Sequence, residues 1–194
     1  MTTWHWVRHG PTHEKSFVGW RDVPADLSDT ALIARVRDHL PEEAVMVSSD
    51  LVRSIATADA LSAQHHTRLP HEVDLREINF GVWDGMRFDA VAARDPHLSR
   101  AFWEQPGDIR APDGESWNET MARVNGVVDR LNVSHPDGHI IAVAHFGVIL
   151  TQVQRALRVS AYEAMSHKID NISVTTLHHI GADRWDVTRI NHLP

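Results

Sequence analysis

The run His139–Ala144 (HIIAVA) constrains the fold of this chain more than any other stretch. It is almost wholly apolar and follows the turn signal His135-Pro136-Asp137-Gly138. A strand with one wet face alternates polar and apolar residues. A near-unbroken apolar run instead needs cover on both faces, which a parallel sheet between two layers of helices supplies.

The remaining segments fit that frame. Thr3–Arg8 and Ala44–Ser48 read as strands, and Arg68–Val73 as a third, short one. Ser28 is placed to cap a helix over Asp29–Leu40, stopped by Pro41. Asp50 is placed to cap Leu51–Gln64, where Leu51, Ile55, Ala58 and Leu61 recur at helical spacing. Ser116 and Glu119 suit a capping box for a helix to about Val133. A helix over Val148–Leu157 follows the apolar strand. Asn171–His179 and Trp185–Asn191 then make an antiparallel pair around Gly181-Ala182-Asp183. Strands alternating with helices give the expected fold class, a three-layer α/β/α sandwich with a mostly parallel central sheet. With 194 residues and no linker or repeat, residues 1–194 are expected to form one domain. Within it, 74–113 is richer in Pro, Gly, Asp and Trp. Short helices are expected there near Arg87–Arg94 and His97–Glu104, forming a cap-like insertion over the active site.

Composition narrows the function. The chain has no cysteine, which excludes disulfides, thiol catalysis and thiolate metal sites. That absence, with no signal-peptide pattern at the N-terminus, leads us to expect a cytoplasmic protein. The longest apolar run, HIIAVAHFGVIL, is too short to span a membrane. Net charge is −7 and no block of Lys or Arg occurs, so neither nucleic acid nor an anionic membrane is an expected partner. An anionic metabolite remains possible if cations are concentrated locally.

They are concentrated at strand ends. Ligands of open α/β sheets bind outside the carboxyl ends of the strands. The first strand ends in Arg8-His9-Gly10, the second in Ser48-Ser49-Asp50 with Arg53 a turn later, and the apolar strand in His145-Phe146-Gly147. Any one of these residues alone reads as an ordinary salt-bridge arginine or one of fifteen histidines. Two arginines and two histidines from three strand ends instead suit a phosphoryl group, which the guanidinium fork binds in a bidentate way. Amides at helix N-termini are expected to add donors, and Gly10 to let the backbone approach the anion.

These residues carry a resemblance to the histidine phosphatase superfamily, of phosphoglycerate mutase-like fold. The matching segments are VRHG (Val7–Gly10), SSDLVRSIATA (Ser48–Ala58), LREINFGVWDG (Leu75–Gly85), DGESWNETMARV (Asp113–Val124) and VAHFGVI (Val143–Ile149), in that order. The resemblance implies a phosphomonoester hydrolase that needs no cofactor and acts on a small phosphorylated metabolite. It implies His9 as the nucleophile forming phosphohistidine, and Arg8, Arg53 and a protonated His145 around the phosphoryl oxygens. It implies Glu77 as general acid and then general base. Gly10, Gly19, Trp20 and Phe146 are expected among the phosphate- and substrate-binding residues. Acceptor-side groups are expected from His13, Lys15, Trp20, Trp83 and Glu115-Ser116.

Departures from the pattern favour a phosphatase over a mutase. Pro11 stands where the family's mutases have glutamate, only PTHEKS separates Gly10 from Phe17, and 85–113 carries scattered arginines rather than a basic insertion. Mutase-type transfer and a non-catalytic phosphate-binding module are the alternatives. His9-x-x-x-His13 lies across a Gly-Pro turn rather than a helix, so no metal site is expected. The oligomeric state is open, with a homodimer one option.

Overall fold

The computed structural model describes all residues 1–194. Six strands form one sheet: β1 (Thr2–Arg8), β2 (Ala44–Ser48), β3 (His66–Arg68), β4 (His139–Ala144), β5 (Val174–Gly181) and β6 (Arg184–His192), in the order β3-β2-β4-β1-β5-β6. The first four run parallel, and β5 is antiparallel to both β1 and β6. This is the expected α/β class with a mostly parallel sheet.

β4 sits inside the sheet with helices on both faces, as its composition requires. On one face Trp4, Trp6, Ile140, Ala142 and Ala144 pack beneath α5 (Trp117–Ser134) and α6 (Phe146–Leu157). On the other, Val7, Met46, Ile141, Val143 and Val174 pack beneath α1 (Thr30–His39) and α2 (Val52–Leu61). The strand's period of two assigns alternate residues to the two cores. Trp4 and Trp6 stack at 5.1 Å between ring centroids, which accounts for the aromatic start of β1 as packing. No helix is long and apolar enough to cross a membrane.

Several boundaries differ from the sequence reading. Asp29, not Ser28, caps α1, its carboxylate accepting from the Leu32 amide at 2.9 Å. Asp50 does not cap α2, because Arg76 holds its carboxylate at 2.7 Å. Asp22, from a distant loop, accepts from the Val52 amide instead, also at 2.7 Å. β3 is His66–Arg68 rather than Arg68–Val73, since Pro70 has no N–H to extend a ladder; a 3-10 turn covers Val73–Leu75. α6 begins two residues before Val148, directly after β4. β5 begins at Val174, leaving Asp170–Ser173 as a loop. The β5–β6 connection places Ala182 and Asp183 at positive φ (46° and 55°), the geometry of a tight hairpin. The Ser116–Glu119 capping box is present. A second box, Ser160 with Glu163, starts the short α7 (Ala161–Ala164), which the sequence reading passed over.

The segment 74–113 folds into a 3-10 turn at Gly81–Trp83, then α3 (Phe88–Arg94) and α4 (Pro96–Glu104). Val91 and Phe102 tie α3 and α4 to the α5–α6 core.

Candidate active site

Parallel register brings the strand ends together. Arg8 pairs with Ala144, and Ser48 with Val143, so the residues that follow β1, β2 and β4 emerge side by side. Arg8, His9, Glu77 and Phe146 line a cavity of about 290 Å³ at this edge. Arg53 and His145 are fully buried beside it, with the His145 ring 5.0 Å from that of His9.

His9 is 7% exposed, and its Nδ1 lies 2.7 Å from the Gly10 carbonyl. A carbonyl only accepts, so Nδ1 carries the proton and Nε2 keeps its lone pair. Burial, reinforced by the Arg53 and Arg8 charges, lowers the His9 pKa to about 3. The ring is therefore neutral throughout the physiological range. The Asn171 amide donates at 2.8 Å to the His9 carbonyl, fixing the backbone from the loop before β5.

One buried nitrogen on each of the neighbouring cationic and imidazole side chains has no partner within the chain: Arg8 Nε, Arg53 Nε and His145 Nδ1. The other ends of these side chains are firmly held. Arg8 Nη1 donates to the Ile169 carbonyl at 2.6 Å. Arg53 donates to the Gly19 and Arg21 carbonyls at 2.6 and 2.8 Å. His145 Nε2 lies 2.7 Å from Ser49 Oγ and 3.2 Å from Ser54 Oγ. Each group is anchored on one side and without a partner in the chain on the other, an arrangement that suits a polyvalent acceptor.

Burial and the neighbouring Arg53 hold the His145 pKa well below its ordinary value. Among the groups of the chain itself, the cationic charge at the site therefore rests on the two arginines rather than on His145.

Glu77 reaches the site from the loop after β3. It is 7% exposed, and its carboxylate accepts from the amides of Ile78 at 2.9 Å and Gly147 at 3.1 Å. Burial raises its pKa, against the opposing pull of those amides and of Arg53 and Arg8. A Cβ on Gly147 would stand 2.5 Å from Glu77 Oε1, so glycine is what admits the carboxylate to the start of α6. The amides expected as anion donors are thus already engaged: Gly147 by Glu77, and Val52 by Asp22.

A clamp behind Glu77 escaped the sequence reading. Arg123, on α5, donates to the carbonyls of Asp74, Arg76 and Glu77 at 2.7–2.8 Å and pairs with Glu115 at 2.8 Å. Glu115 in turn accepts from the Asn79 amide at 2.9 Å. The pair sits in the quoted segment DGESWNETMARV, but nothing in the spacing says where the guanidinium points.

Other expected site residues act from outside the cavity. Gly10 makes room for a neighbouring loop, since a Cβ there would meet Leu27 at 2.6 Å. Gly19 lets its loop approach the Ile78 carbonyl, 2.6 Å from a Cβ. Trp20 donates from its indole to the Glu77 carbonyl at 2.8 Å and stacks beneath Arg76, so it supports the Glu77 loop. The acceptor-side expectation is corrected throughout. His13 pairs with Asp26, Trp83 is fully buried with its N–H on Asp95, Glu115 holds Arg123, Ser116 caps α5, and Lys15 is exposed outside the cavity. The cavity wall comes instead from Thr12, Glu14, Ser16, Phe17 and Val18, and from Phe80, Phe88 and Trp103.

The model of the histidine phosphatase superfamily (branch 1) matches residues 5–193. Phosphoglycerate mutase-like protein 4 of Arabidopsis thaliana is 30% identical over 189 residues, covering 93% of this chain and 81% of that protein. The bifunctional protein Rv2228c of Mycobacterium tuberculosis is 32% identical over 143 residues, 74% of this chain; the match spans 36% of that longer protein. Among solved structures, a mycobacterial glucosyl-3-phosphoglycerate phosphatase superposes with a TM-score of 0.84 at 25% identity, covering 97% of this chain and 98% of its own. A family match over nearly the whole chain and a fold shared end to end lead to one conclusion: this protein belongs to the histidine phosphatase superfamily, branch 1.

Proposed function

We propose that this protein is a phosphomonoester hydrolase working through a phosphohistidine on His9. The observation that carries the reading is the His9 ring. It is neutral, held by its Nδ1–H on the Gly10 carbonyl, and neighboured by Arg8, Arg53 and His145, each with a buried nitrogen that has no partner in the chain. Such a ring offers the Nε2 lone pair to phosphorus, while the two guanidinium groups stabilise charge on the equatorial oxygens as it builds.

In the first step an N–P bond forms as the ester P–O bond breaks, and the protonated Glu77 carboxyl gives its proton to the leaving oxygen. In the second, the Glu77 carboxylate takes a proton from water, whose oxygen attacks phosphorus. The N–P bond breaks, restoring neutral His9 and releasing inorganic phosphate. Burial of Glu77 supports this assignment, because a carboxyl raised above its ordinary pKa is available as an acid nearer neutrality. A dianionic substrate beside it raises that pKa further. Residues 1–194 act as one domain, with 74–113 as the cap whose α3 and α4 wall the cavity.

Mutase-type transfer is the less supported reading. It requires cations for a second anionic group, and Arg8 is the one Lys or Arg that lines the cavity. The test is acid-labile labelling. Brief exposure to a 32P-labelled ester followed by alkaline quench should leave label on wild type and none on His9→Asn. Phosphate release without a labelled enzyme, or equal release by His9→Asn, defeats the phosphohistidine route. Absence of both label and release favours a non-catalytic module.

A further inference from the structure

Resting on the hydrolase reading, we infer that the ester's organic group is an apolar, ring-bearing alcohol with no second anionic group. The geometry points there from three sides. Away from Arg8, His9 and Glu77, the cavity is lined by Phe17, Phe80, Phe88, Trp103 and Phe146, with Thr12, Glu14, Ser16 and Val18 completing one side. Phe17 lies among these rings, 4.9 Å from Phe80, 4.6 Å from Phe88 and 6.0 Å from Trp103 between ring centroids. Phe88 meets Phe17 edge-on yet is 60% exposed, so a large apolar side chain faces solvent beside the cavity. An aromatic group exposed beside a cavity marks a surface that gains by being covered.

Second, the cavity continues. Phe17, Phe88 and Trp103 also border an adjoining groove of about 600 Å³ between α3 and α4, whose floor includes Val91, Ala92 and Pro96. A group longer than one ring can extend along this floor without leaving apolar contact.

Third, the charge in the wall has the wrong sign for an acidic leaving group. Glu14 is the only charged residue beyond the reacting end, and hydrogen bonds from Ser16 and Arg21 lower its pKa, so it is anionic near neutrality. Arg21 offsets it only in part, because the same guanidinium also pairs with Asp84 at 3.2 Å. Arg100, on the groove, has Glu104 beside it at 4.0 Å. A carboxylate or second phosphate on the leaving group meets net repulsion and no fork to receive it.

Three esters with comparable alkyl leaving groups separate these effects: ethyl phosphate, 2-phenylethyl phosphate and 3-phosphoglycerate. For wild type, kcat/KM should be at least about ten-fold higher for the phenylethyl than for the ethyl ester, in the range one apolar pocket provides, and lowest for 3-phosphoglycerate. Phe88→Ala should shrink the phenylethyl-to-ethyl ratio several-fold. Glu14→Lys should narrow the gap between 2-phenylethyl phosphate and 3-phosphoglycerate. Equal ratios in wild type and Phe88→Ala, or a preference for 3-phosphoglycerate, overturns the inference. Calorimetric titration of His9→Ala with the same esters removes dependence on turnover. Tighter binding of the phenylethyl ester with no hydrolysis by wild type sustains the inference while defeating the hydrolase reading. Hydrolysis of all three esters with no preference does the reverse.

Discussion

Arg123 donates at 2.8 Å to the backbone carbonyl of Glu77, fixing from α5 a residue whose side chain ends at the start of α6. The same guanidinium holds the carbonyls of Asp74 and Arg76, so one side chain sets the path of the loop that delivers the carboxylate. Trp20 donates to the same Glu77 carbonyl at 2.8 Å from another loop. Arg123 touches neither cavity nor reacting atoms, and acts as a positioning residue.

Replacing Arg123 should therefore disturb turnover more than binding. For Arg123→Met we expect kcat to fall by about 10²-fold, the scale of a misplacement near 1 Å, with KM changed far less. Leaving Glu115 without its partner should also lower stability by about 3 kcal/mol, since the pair is 13% and 16% exposed. Steady-state kinetics with urea melts check both. Arg123→Lys should recover part of the stability but less of kcat, because an ammonium cannot bridge the three carbonyls in the guanidinium's plane.

Glu77 carries a trade between stability and chemistry. Its folded pKa lies above the reference 4.5, chiefly from burial. The folded state thus binds its proton more tightly than the unfolded chain. Stability from this group is complete below 4.5 and declines as pH rises through the folded pKa. Glu77→Gln removes the buried charge, so it should melt higher than wild type at pH 7.5, with the gap closing toward pH 4. Hydrolysis should fall by about 10²–10⁴-fold, the usual contribution of a general acid. Thermal melts across that range and initial rates decide the matter; unchanged rates remove Glu77 from the proposed mechanism.

In the middle of β1, His5 predicts a sensitivity to acid. Its pKa is lowered to about 3 by burial and by His139, His178 and His39, with Nε2 3.1 Å from His139 Nδ1. A group depressed in this way stays neutral in the fold while the unfolded chain takes up a proton below about 6.5. Stability is then intact above 6.5 and drains as pH falls toward 3. Between pH 7 and pH 5 the loss from this residue should be about 1–2 kcal/mol after discounting its partial exposure. Urea melts at the two pH values should show a smaller difference in His5→Gln than in wild type.

The sequence by itself determined the alternation of strands and helices and the mostly parallel class of the sheet, because period and composition are local signals. HIIAVA could only be covered on both faces, Thr3–Arg8 and Ala44–Ser48 read as further strands, and the three strand ends carried Arg8, His9, Arg53 and His145. The family followed from the same segments, confirmed by a match over 5–193. Where a cap or strand end depended on a partner far along the chain, sequence reasoning missed it. Asp50 lost its cap to Arg76, and Asp22 took its place.

Only the tertiary structure decided which side chains face the cavity. Trp20, Trp83 and Glu115 carry chemistry suited to a ligand, yet packing directs each to an internal partner, and His13 pairs with Asp26 at the surface. Phe17, Phe88 and Trp103, to which the sequence reading gave no site role, stand in the wall. Spacing fixes which face of an element a residue occupies. Where that face points is set by the sum of contacts across the fold, and no local pattern encodes that sum.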